Sequence, residues 1–158
     1  MQVAVITCSD RVHAGTYEDR SGPALVDGLR AAGLDARAER CVPDEVSAIR
    51  DAIRDAARAG ARVVVTSGGT GLGPRDVTPE ATSGLLDHDV PGIAEAIRRR
   101  GPEPHAMHSR GLAGIATVDG VRVLVVNVAG SVGAARDAVA VLAPALGHVV
   151  DQLDGGGH

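Results

Sequence analysis

Apolar residues form short continuous runs along the chain, and these runs alternate with segments in which apolar residues recur every three or four positions. A continuous apolar run is typical of a strand that is buried on both faces. Such runs lie at 3–8, 61–66, 115–118 and 121–128, with a weaker strand pattern at 34–42. Asp119-Gly120, between the last two runs, is a hairpin turn signal, so we expect those two strands to be paired.

Segments with helical spacing separate these strands. The clearest follows Pro43-Asp44, where Val46, Ile49 and Ile53 fall on one face before Gly60 ends the pattern. Further helices are predicted over 24–32, from 78 to about 86, over 91–100, over 105–112, and from 131 to about 150 with a kink at Pro144.

The alternation of strands and helices predicts an α/β fold, a single three-layer domain with a mixed, mostly parallel sheet flanked by helices. We assign this domain to residues 1–152 and expect 153–158 to be a disordered tail. Polar loops follow three of the predicted strands, at 9–11, 67–76 and 127–131. Because ligands of such sheets bind beyond the carboxyl ends of the strands, we expect these loops to converge on one crevice.

The most distinctive loop reads Ser-Gly-Gly-Thr-Gly-Leu-Gly-Pro-Arg-Asp over 67–76. Its four glycines permit sharp turns and close approach to a ligand. Successive exposed N–H groups in such a loop favour an anion, and Asp76 would place a carboxylate suited to a divalent cation beside it. A structural interpretation also exists: Thr78 would cap a helix with Pro79 at its first position, and Asp44 occupies a similar capping position.

Composition excludes several classes of function. All 16 basic residues are arginine, which rules out a Walker A loop and a Schiff-base lysine. Tyr17 is the only aromatic residue and the net charge is −4, which argues against binding to nucleic acid or to a membrane surface. No signal peptide or membrane-length apolar run is visible, so we expect a cytoplasmic location. Arg11, Arg75 and Arg110 are either phosphate ligands or ordinary surface residues.

The glycine loop and the residues after it, Arg75-Asp76-Val77-Thr78-Pro79-Glu80-Ala81-Thr82, resemble the signature of the molybdenum cofactor biosynthesis family. This family includes bacterial molybdopterin adenylyltransferases and the gephyrin G domain. Further segments resemble the family in the expected order, at 6–11, 18–23, 43–44, 91–92, 109–110 and 127–131. The resemblance spans roughly residues 3–150 and departs from the family at Ala129, where proline is common.

The resemblance implies a mixed-sheet α/β domain, usually a homotrimer, that transfers AMP from Mg-ATP to the terminal phosphate of molybdopterin and releases pyrophosphate. The adenylylated pterin would then pass to a molybdate-inserting enzyme. Some relatives bind molybdopterin without clear activity, so a non-catalytic module that stores or delivers the pterin is the alternative.

The resemblance also implies roles for individual positions. Asp44 and Asp76 match the acidic residues tied to catalysis and magnesium, with Asp76 as the metal ligand. Five positions match the loop at the ligand phosphates: Ser67, Gly68, Gly69, Thr70 and Gly71. Four match pterin-side contacts: Ser109, Asn127, Gly130 and Ser131. Ser9 and Asp10 are candidates for the same site. Asp10 and Asp19 are otherwise interpreted as turn residues, and Ser9 as an ordinary surface residue.

Overall fold

The computed structural model describes residues 1–156, which form a six-stranded sheet with helices on both faces. The strands are β1 (Gln2–Cys8), β2 (Asp35–Val42), β3 (Val63–Ser67), β4 (Leu86–Asp89), β5 (Ala113–Val118) and β6 (Val121–Val128). The helices are α1 (Asp10–His13), α2 (Ser21–Ala31), α3 (Val46–Arg58), α4 (Thr78–Ser83), α5 (Pro91–Arg100), α6 (Val132–Leu142) and α7 (Leu146–Leu153), with a 3₁₀ helix at His105–His108.

The strand order across the sheet is β2-β1-β3-β6-β5-β4. Strand β1 runs parallel to β2 and β3, and β3 runs parallel to β6. Strand β5 is antiparallel to both β6 and β4, and β5 and β6 form the hairpin predicted at Asp119-Gly120. The sheet is therefore mixed and mostly parallel, as predicted, and the carboxyl ends of β1, β3 and β6 lie at one edge.

Two apolar cores lie on opposite faces of this sheet. Side chains of α2, α5, α6 and α7 fill one face, and those of α3 and α4 fill the other. Along β3, Val63 and Val65 point into the first core while Val64 points into the second. The continuous apolar run of β3 thus has its expected cause, since consecutive strand residues face opposite layers. The three-layer arrangement is confirmed.

Helix α3 begins at Val46 with Glu45 at its N-cap, so the capping interpretation of Asp44 is wrong. The hydrogen bonds of Asp44 go to another loop instead, as described below. The helix predicted from residue 78 to about 86 ends at Ser83, and Leu86–Asp89 forms the edge strand β4. That strand was missed because only Leu86 of its four residues is apolar and the other three are exposed, and an edge strand with one partner needs no apolar run. The helix predicted over 105–112 is a single 3₁₀ turn.

The last predicted helix is interrupted near Pro144, where α6 and α7 meet at 62°. Among residues 1–156, no single helix is long and apolar enough to cross a membrane. Helices α6 and α7 meet the length and composition criteria only as a bent pair, and they bury Leu142 and Leu146 in the first core.

The boundary of the predicted tail lies later than residue 153. Leu153 ends α7 and packs against the first core, and Asp154 accepts an ion-pair contact of 2.7 Å from Arg62. Residues 157 and 158 of the predicted tail lie outside the described residues.

Candidate functional site

The loops that follow β1, β3 and β6 converge on one cavity of about 790 Å³, as their positions at the strand ends predict. This volume lies within the range of small-molecule sites, about 300–1,000 Å³. The sequence-predicted positions that line the cavity are Ser9, Asp10, Asp44, Ser67, Gly68, Gly69, Thr70, Gly71, Asp76, Ser109, Gly130 and Ser131. Asn127 does not line this cavity.

Backbone conformation makes glycine necessary at two positions of the loop. Gly68 has φ +105° and Gly69 has φ +65°, both in the left-handed region that L side chains rarely adopt. A Cβ at Gly68 would lie 2.2 Å from the carbonyl oxygen of Cys8, and one at Gly69 would lie 2.3 Å from Oγ1 of Thr78. The loop therefore packs against its neighbours closely enough to exclude any side chain at either position.

The same conformation leaves a run of amide groups available. Among residues 1–156, the N–H groups of Gly69, Thr70 and Gly71 donate to no acceptor within the chain, whereas Gly68 N–H donates to Val128 O at 2.9 Å. Consecutive free N–H groups in a loop form a concave anion-binding surface. This part of the loop is therefore suited to oxygen atoms of a phosphate.

Thr78 ties the start of α4 to the glycine loop. Its buried hydroxyl donates to Gly68 O at 2.9 Å, and its N–H donates to Gly69 O at 3.0 Å. The N-cap of α4 is Val77, so the prediction that Thr78 caps this helix is wrong. Thr78 instead holds the carbonyl groups of Gly68 and Gly69 in place.

Two aspartates that line the cavity bind each other's backbone. Asp10 N–H donates to Oδ2 of Asp44 at 2.9 Å, and Asp44 N–H donates to Oδ1 of Asp10 at 2.9 Å. Arg75 reaches Asp10 through Nε at 2.9 Å and Nη2 at 3.1 Å. Hydrogen bonding from Arg75 lowers the pKa of Asp10. Three segments that are distant in sequence are thus joined at the rim of the site.

This exchange leaves one oxygen of Asp44 without a partner. Within the described part of the chain, Oδ1 of Asp44 is buried and has no hydrogen-bond partner. Burial raises the pKa of Asp44, and the negative charges of Asp10 and Asp76 add to that effect. An unpaired carboxylate oxygen in a cavity is unfavourable on its own, and a cation or a ligand donor would relieve it.

Asp76 combines a structural contact with exposure to the cavity. Its Oδ2 accepts a hydrogen bond from Gly73 N–H at 2.9 Å, and its own N–H donates to Gly73 O at 3.0 Å. This reciprocal pair closes the turn at the end of the glycine loop. Asp76 therefore lies beside the free amide groups because the loop itself holds it there.

The acidic side chains fit one kind of metal site better than another. No group of three or more His, Cys, Asp or Glu side chains is arranged to hold a metal ion among residues 1–156. Mg²⁺ is commonly bound by one or two carboxylates together with substrate phosphates. The unpaired oxygen of Asp44 and the nearby carboxylate of Asp76 suit an ion that arrives with a phosphate ligand.

Two predicted contacts are engaged within the protein core. Ser67 is buried and its hydroxyl donates to Oγ of Ser21 at 2.8 Å. The amide nitrogen of Asn127 donates to Oγ1 of Thr66 at 3.0 Å and of Thr82 at 2.9 Å. The amide oxygen of Asn127 accepts a bond from Leu112 N–H at 3.1 Å. Asn127 thus joins β6 to β3 and α4, and its side-chain amide is engaged within the protein.

The remaining hydroxyl groups lie at the cavity with local partners. Ser9 accepts from Val12 N–H at 3.3 Å and caps α1, while Ser131 accepts from Ala134 N–H at 3.1 Å and caps α6. Ser109 donates to Oγ1 of Thr70 at 3.4 Å. Their positions agree with the predicted convergence, and each hydroxyl keeps bonding capacity for a ligand.

Asp19, a candidate for a turn or for a ligand contact, forms a partly buried arrangement at the same edge that was not predicted. Asp19 accepts bonds from Oγ1 of Thr7 at 2.6 Å and from Gly22 N–H at 3.0 Å. A Cβ at Gly22 would lie 2.5 Å from both side chains, so α2 starts against them only because residue 22 is glycine. The available signal was a threonine within the apolar run of β1, followed by Asp19 three residues before Gly22.

Comparison with known proteins places the chain among molybdopterin-binding domains. The sequence model of a family described as "Probable molybdopterin binding domain" matches residues 4–148. A molybdenum cofactor biosynthesis bifunctional protein of Synechococcus elongatus is 40% identical over 154 residues, which cover 98% of this chain and 48% of that protein. A molybdopterin adenylyltransferase of Pyrococcus furiosus is 32% identical over 149 residues, which cover 92% of this chain and 87% of that protein.

The chain spans about half the length of the bifunctional relatives that it matches. Solved structures agree over nearly its whole length. The molybdopterin biosynthesis enzyme MoaB of Thermus thermophilus has a TM-score of 0.87 at 38% identity and covers 98% of this chain and 96% of its own. A molybdopterin biosynthesis protein of Mycobacterium abscessus has a TM-score of 0.87 at 41% identity, with coverage of 98% and 96%. The resemblance predicted from the glycine loop is thereby confirmed, and the chain belongs to the molybdopterin-binding domain family of molybdenum cofactor biosynthesis.

Proposed function

We propose that this chain is a molybdopterin adenylyltransferase, which transfers AMP from Mg-ATP to the terminal phosphate of molybdopterin. Pyrophosphate is released and adenylyl-molybdopterin is formed. The observation that carries the proposal is the unpaired, buried oxygen of Asp44 in the same cavity as the free amide groups of the glycine loop. Relatives named molybdopterin adenylyltransferase in Pyrococcus furiosus and Escherichia coli support it.

The reaction needs positioning more than it needs a strong base. The nucleophile is a phosphate oxygen of the pterin, whose second pKa is about 6, so it is already deprotonated near neutral pH. It forms a bond to the α-phosphorus of ATP as the bond from that phosphorus to the pyrophosphate oxygen breaks. Because two anions must meet, catalysis depends on orientation and on neutralising charge.

Residues of this chain supply both requirements. The N–H groups of Gly69, Thr70 and Gly71 would donate to phosphoryl oxygens of the bound substrate, and Asp44 and Asp76 would hold a magnesium ion beside them. The ion would neutralise charge on the phosphates. The reciprocal bonds between Asp10 and Asp44 hold the loops that carry these two residues in a fixed arrangement beside the site.

The proposal extends to assembly and to the fate of the product. We propose that the chain acts as a homotrimer in the cytoplasm and passes adenylyl-molybdopterin to a molybdate-inserting enzyme. The bifunctional relatives, of which this chain matches about half, support a link between this domain and a second step.

The proposal is tested by mixing the purified chain with molybdopterin, Mg²⁺ and ATP labelled in the α-phosphate. We expect label in the pterin and one pyrophosphate released for each pterin adenylylated. Binding of molybdopterin without label transfer would reject the enzyme and favour the alternative, a module that stores or delivers the pterin.

Asp76→Ala is the first variant to test in this assay. We expect a loss of about 10²–10³-fold in the rate of transfer, as for removal of one electrostatic partner, with molybdopterin affinity within several-fold of wild type. Asp35→Ala is the matched control, because Asp35 is exposed and pairs with Arg37 away from the cavity. Equal loss of transfer and of pterin binding in Asp76→Ala would show that Asp76 supports the fold or the pterin instead.

A further inference from the structure

Arg110 lies between the 3₁₀ helix and β5, and its hydrogen bonds connect this segment to the glycine loop. Its Nε donates to Gly71 O at 2.8 Å and its Nη2 donates to Asp76 O at 2.8 Å. Its backbone N–H donates to Thr70 O at 2.8 Å. One arginine thus fixes three carbonyl groups of the loop, at its middle and at its end.

The other side of the guanidinium is held by Glu80, on the first turn of α4. Nη1 contacts Oε1 of Glu80, and Nη2 contacts Oε2 at 3.4 Å. This contact lowers the pKa of Glu80. Of the five N–H donors of an arginine side chain, four have acceptors on this chain.

This donor count argues against Arg110 as a phosphate ligand. A phosphate would be gripped best by two parallel N–H donors, and only one side-chain donor remains. The carbonyl groups that Arg110 binds belong to Gly71 and Asp76, which flank the turn closed by Gly73. The carbonyl group of Thr70, which accepts the backbone N–H of Arg110, belongs to the same peptide unit as the free N–H of Gly71, so these bonds fix the loop beside its free amide groups.

We propose that Arg110 is a positioning residue, which holds the glycine loop and Asp76 in the arrangement that binds phosphate, with Glu80 fixing the guanidinium. The inference rests on the proposed function for its kinetic consequences but has a readout that does not depend on it. Lysine cannot replace the side chain of Arg110, because a single ammonium group cannot bind two carbonyl groups and a carboxylate in the geometry of one planar fork.

The experiment compares Arg110→Lys with wild type and with Arg50→Ala. Arg50 is a matched control because it is also half-buried and also donates to two backbone carbonyl groups, Ala81 O at 2.9 Å and Glu80 O at 3.2 Å. Those bonds reach α4 and not the loop at 67–76. Three properties are measured: thermal unfolding, hydrogen exchange of amides in 73–78, and kcat and KM for ATP with Mg²⁺ present.

We expect Arg110→Lys to lower kcat by about 10²-fold, the size that a small misplacement of reacting groups produces. Its KM for ATP should change less than about threefold, and its loop amides should exchange about tenfold faster. Arg50→Ala should lose comparable thermal stability while keeping kcat and loop exchange near wild type. Glu80→Gln keeps an oxygen acceptor for Nη1 of Arg110, so this variant should retain most of the wild-type kcat.

Three outcomes would overturn the inference. A raised KM with unchanged kcat and unchanged loop exchange would make Arg110 a phosphate ligand. Equal loss of kcat in Arg110→Lys and Arg50→Ala would reduce it to general structural support. Unchanged exchange in 73–78 would reject it even if the wild-type chain transfers no AMP, and the absence of transfer by wild type would reject the proposed function separately.

Discussion

At the scale of single residues, Asp44 shows how a site can reduce the stability of its own fold. Burial and two neighbouring carboxylates raise its pKa in the native state. Because the native pKa exceeds that of the unfolded chain, the native state binds a proton more readily, and stability falls as pH rises between the two values. The penalty is present in full above the native pKa and is absent below the pKa of the unfolded chain.

Asp44→Asn should therefore unfold at a higher urea concentration than wild type near pH 7.5, measured with EDTA and without nucleotide. The substitution removes a charge that has no partner at one oxygen. The difference between the two proteins should shrink as pH falls through the carboxyl range, where wild-type Asp44 becomes protonated. An advantage for Asn that is the same at every pH would contradict this origin.

Gly68→Ala should be far more destabilising than an ordinary substitution of a left-handed glycine. A Cβ at Gly68 meets the Cys8 carbonyl oxygen at 2.2 Å, in addition to the strain of φ +105°. Gly15 is the control, since its φ is +75° and nothing lies within 4 Å of an added Cβ. Gly15→Ala should cost about 1 kcal/mol in unfolding free energy, and Gly68→Ala several times as much. Equal costs would show that the loop can move away from β1.

At the scale of elements, an apolar run predicts a strand correctly where the strand is buried on both faces. Strands β3 and β6 are apolar on both faces because helices cover both, so their runs are unambiguous. Strand β4 is an edge strand with three exposed polar residues after Leu86, and no local pattern distinguishes it from a loop. Strand β4 is defined by its pairing with β5, the first strand of the β5–β6 hairpin. The residues of β4 alone do not reveal that partner.

Candidate side chains follow the same division. The glycine loop and Asp76 were predictable because their chemistry lies within ten consecutive residues. The exchange between Asp10 and Asp44, and the contacts of Arg110 with Gly71, join residues 34 and 39 positions apart. Such pairs become visible only when the loops are packed. The inward bonds of Asn127 likewise could not be separated from a ligand contact by sequence alone.

The loop after β6 allows a prediction about Ala129, where the family resemblance leads us to expect proline in many relatives. Val128 is in a strand, the conformation that a residue before proline prefers, and Ala129 does not have positive φ. Ala129→Pro should leave the melting temperature within a few degrees of wild type, because proline restricts the unfolded chain more than it strains the folded one. A large fall in melting temperature, measured by circular dichroism, would show that this loop differs from the proline-containing form.

At the scale of the whole molecule, the loops that line the site lie at one edge of the sheet, and helices cover both faces of the sheet. Ligand binding at that end should therefore stabilise the entire cooperative unit. The loops after β1, β3 and β6 are each anchored to the sheet, through contacts such as Thr78 to Gly68 and Gly68 to Val128. Unfolding of the domain must release any ligand held among them.

ATP with Mg²⁺ should accordingly raise the melting temperature, and the rise should be proportional to the logarithm of the ATP concentration. At an ATP concentration about 100 times the dissociation constant, the free energy of unfolding should increase by about 2.7 kcal/mol. Asp76→Ala should show a smaller rise at the same concentration, and Asp35→Ala should match wild type. The measurement is differential scanning fluorimetry over a series of ATP concentrations, and a wild-type melting temperature that does not move would contradict nucleotide binding.

The outer strands of the sheet have a consequence for the chain in concentrated solution. Strand β2 exposes Arg37, Glu39 and Arg40, and strand β4 exposes Asp87, His88 and Asp89. The unpaired N–H and C=O groups of an edge strand can form hydrogen bonds with strands of other molecules. Charged side chains on the edge strand oppose this pairing. The β-structure of one molecule is therefore self-limiting, which protects the folded protein against fibrillar aggregation at high concentration.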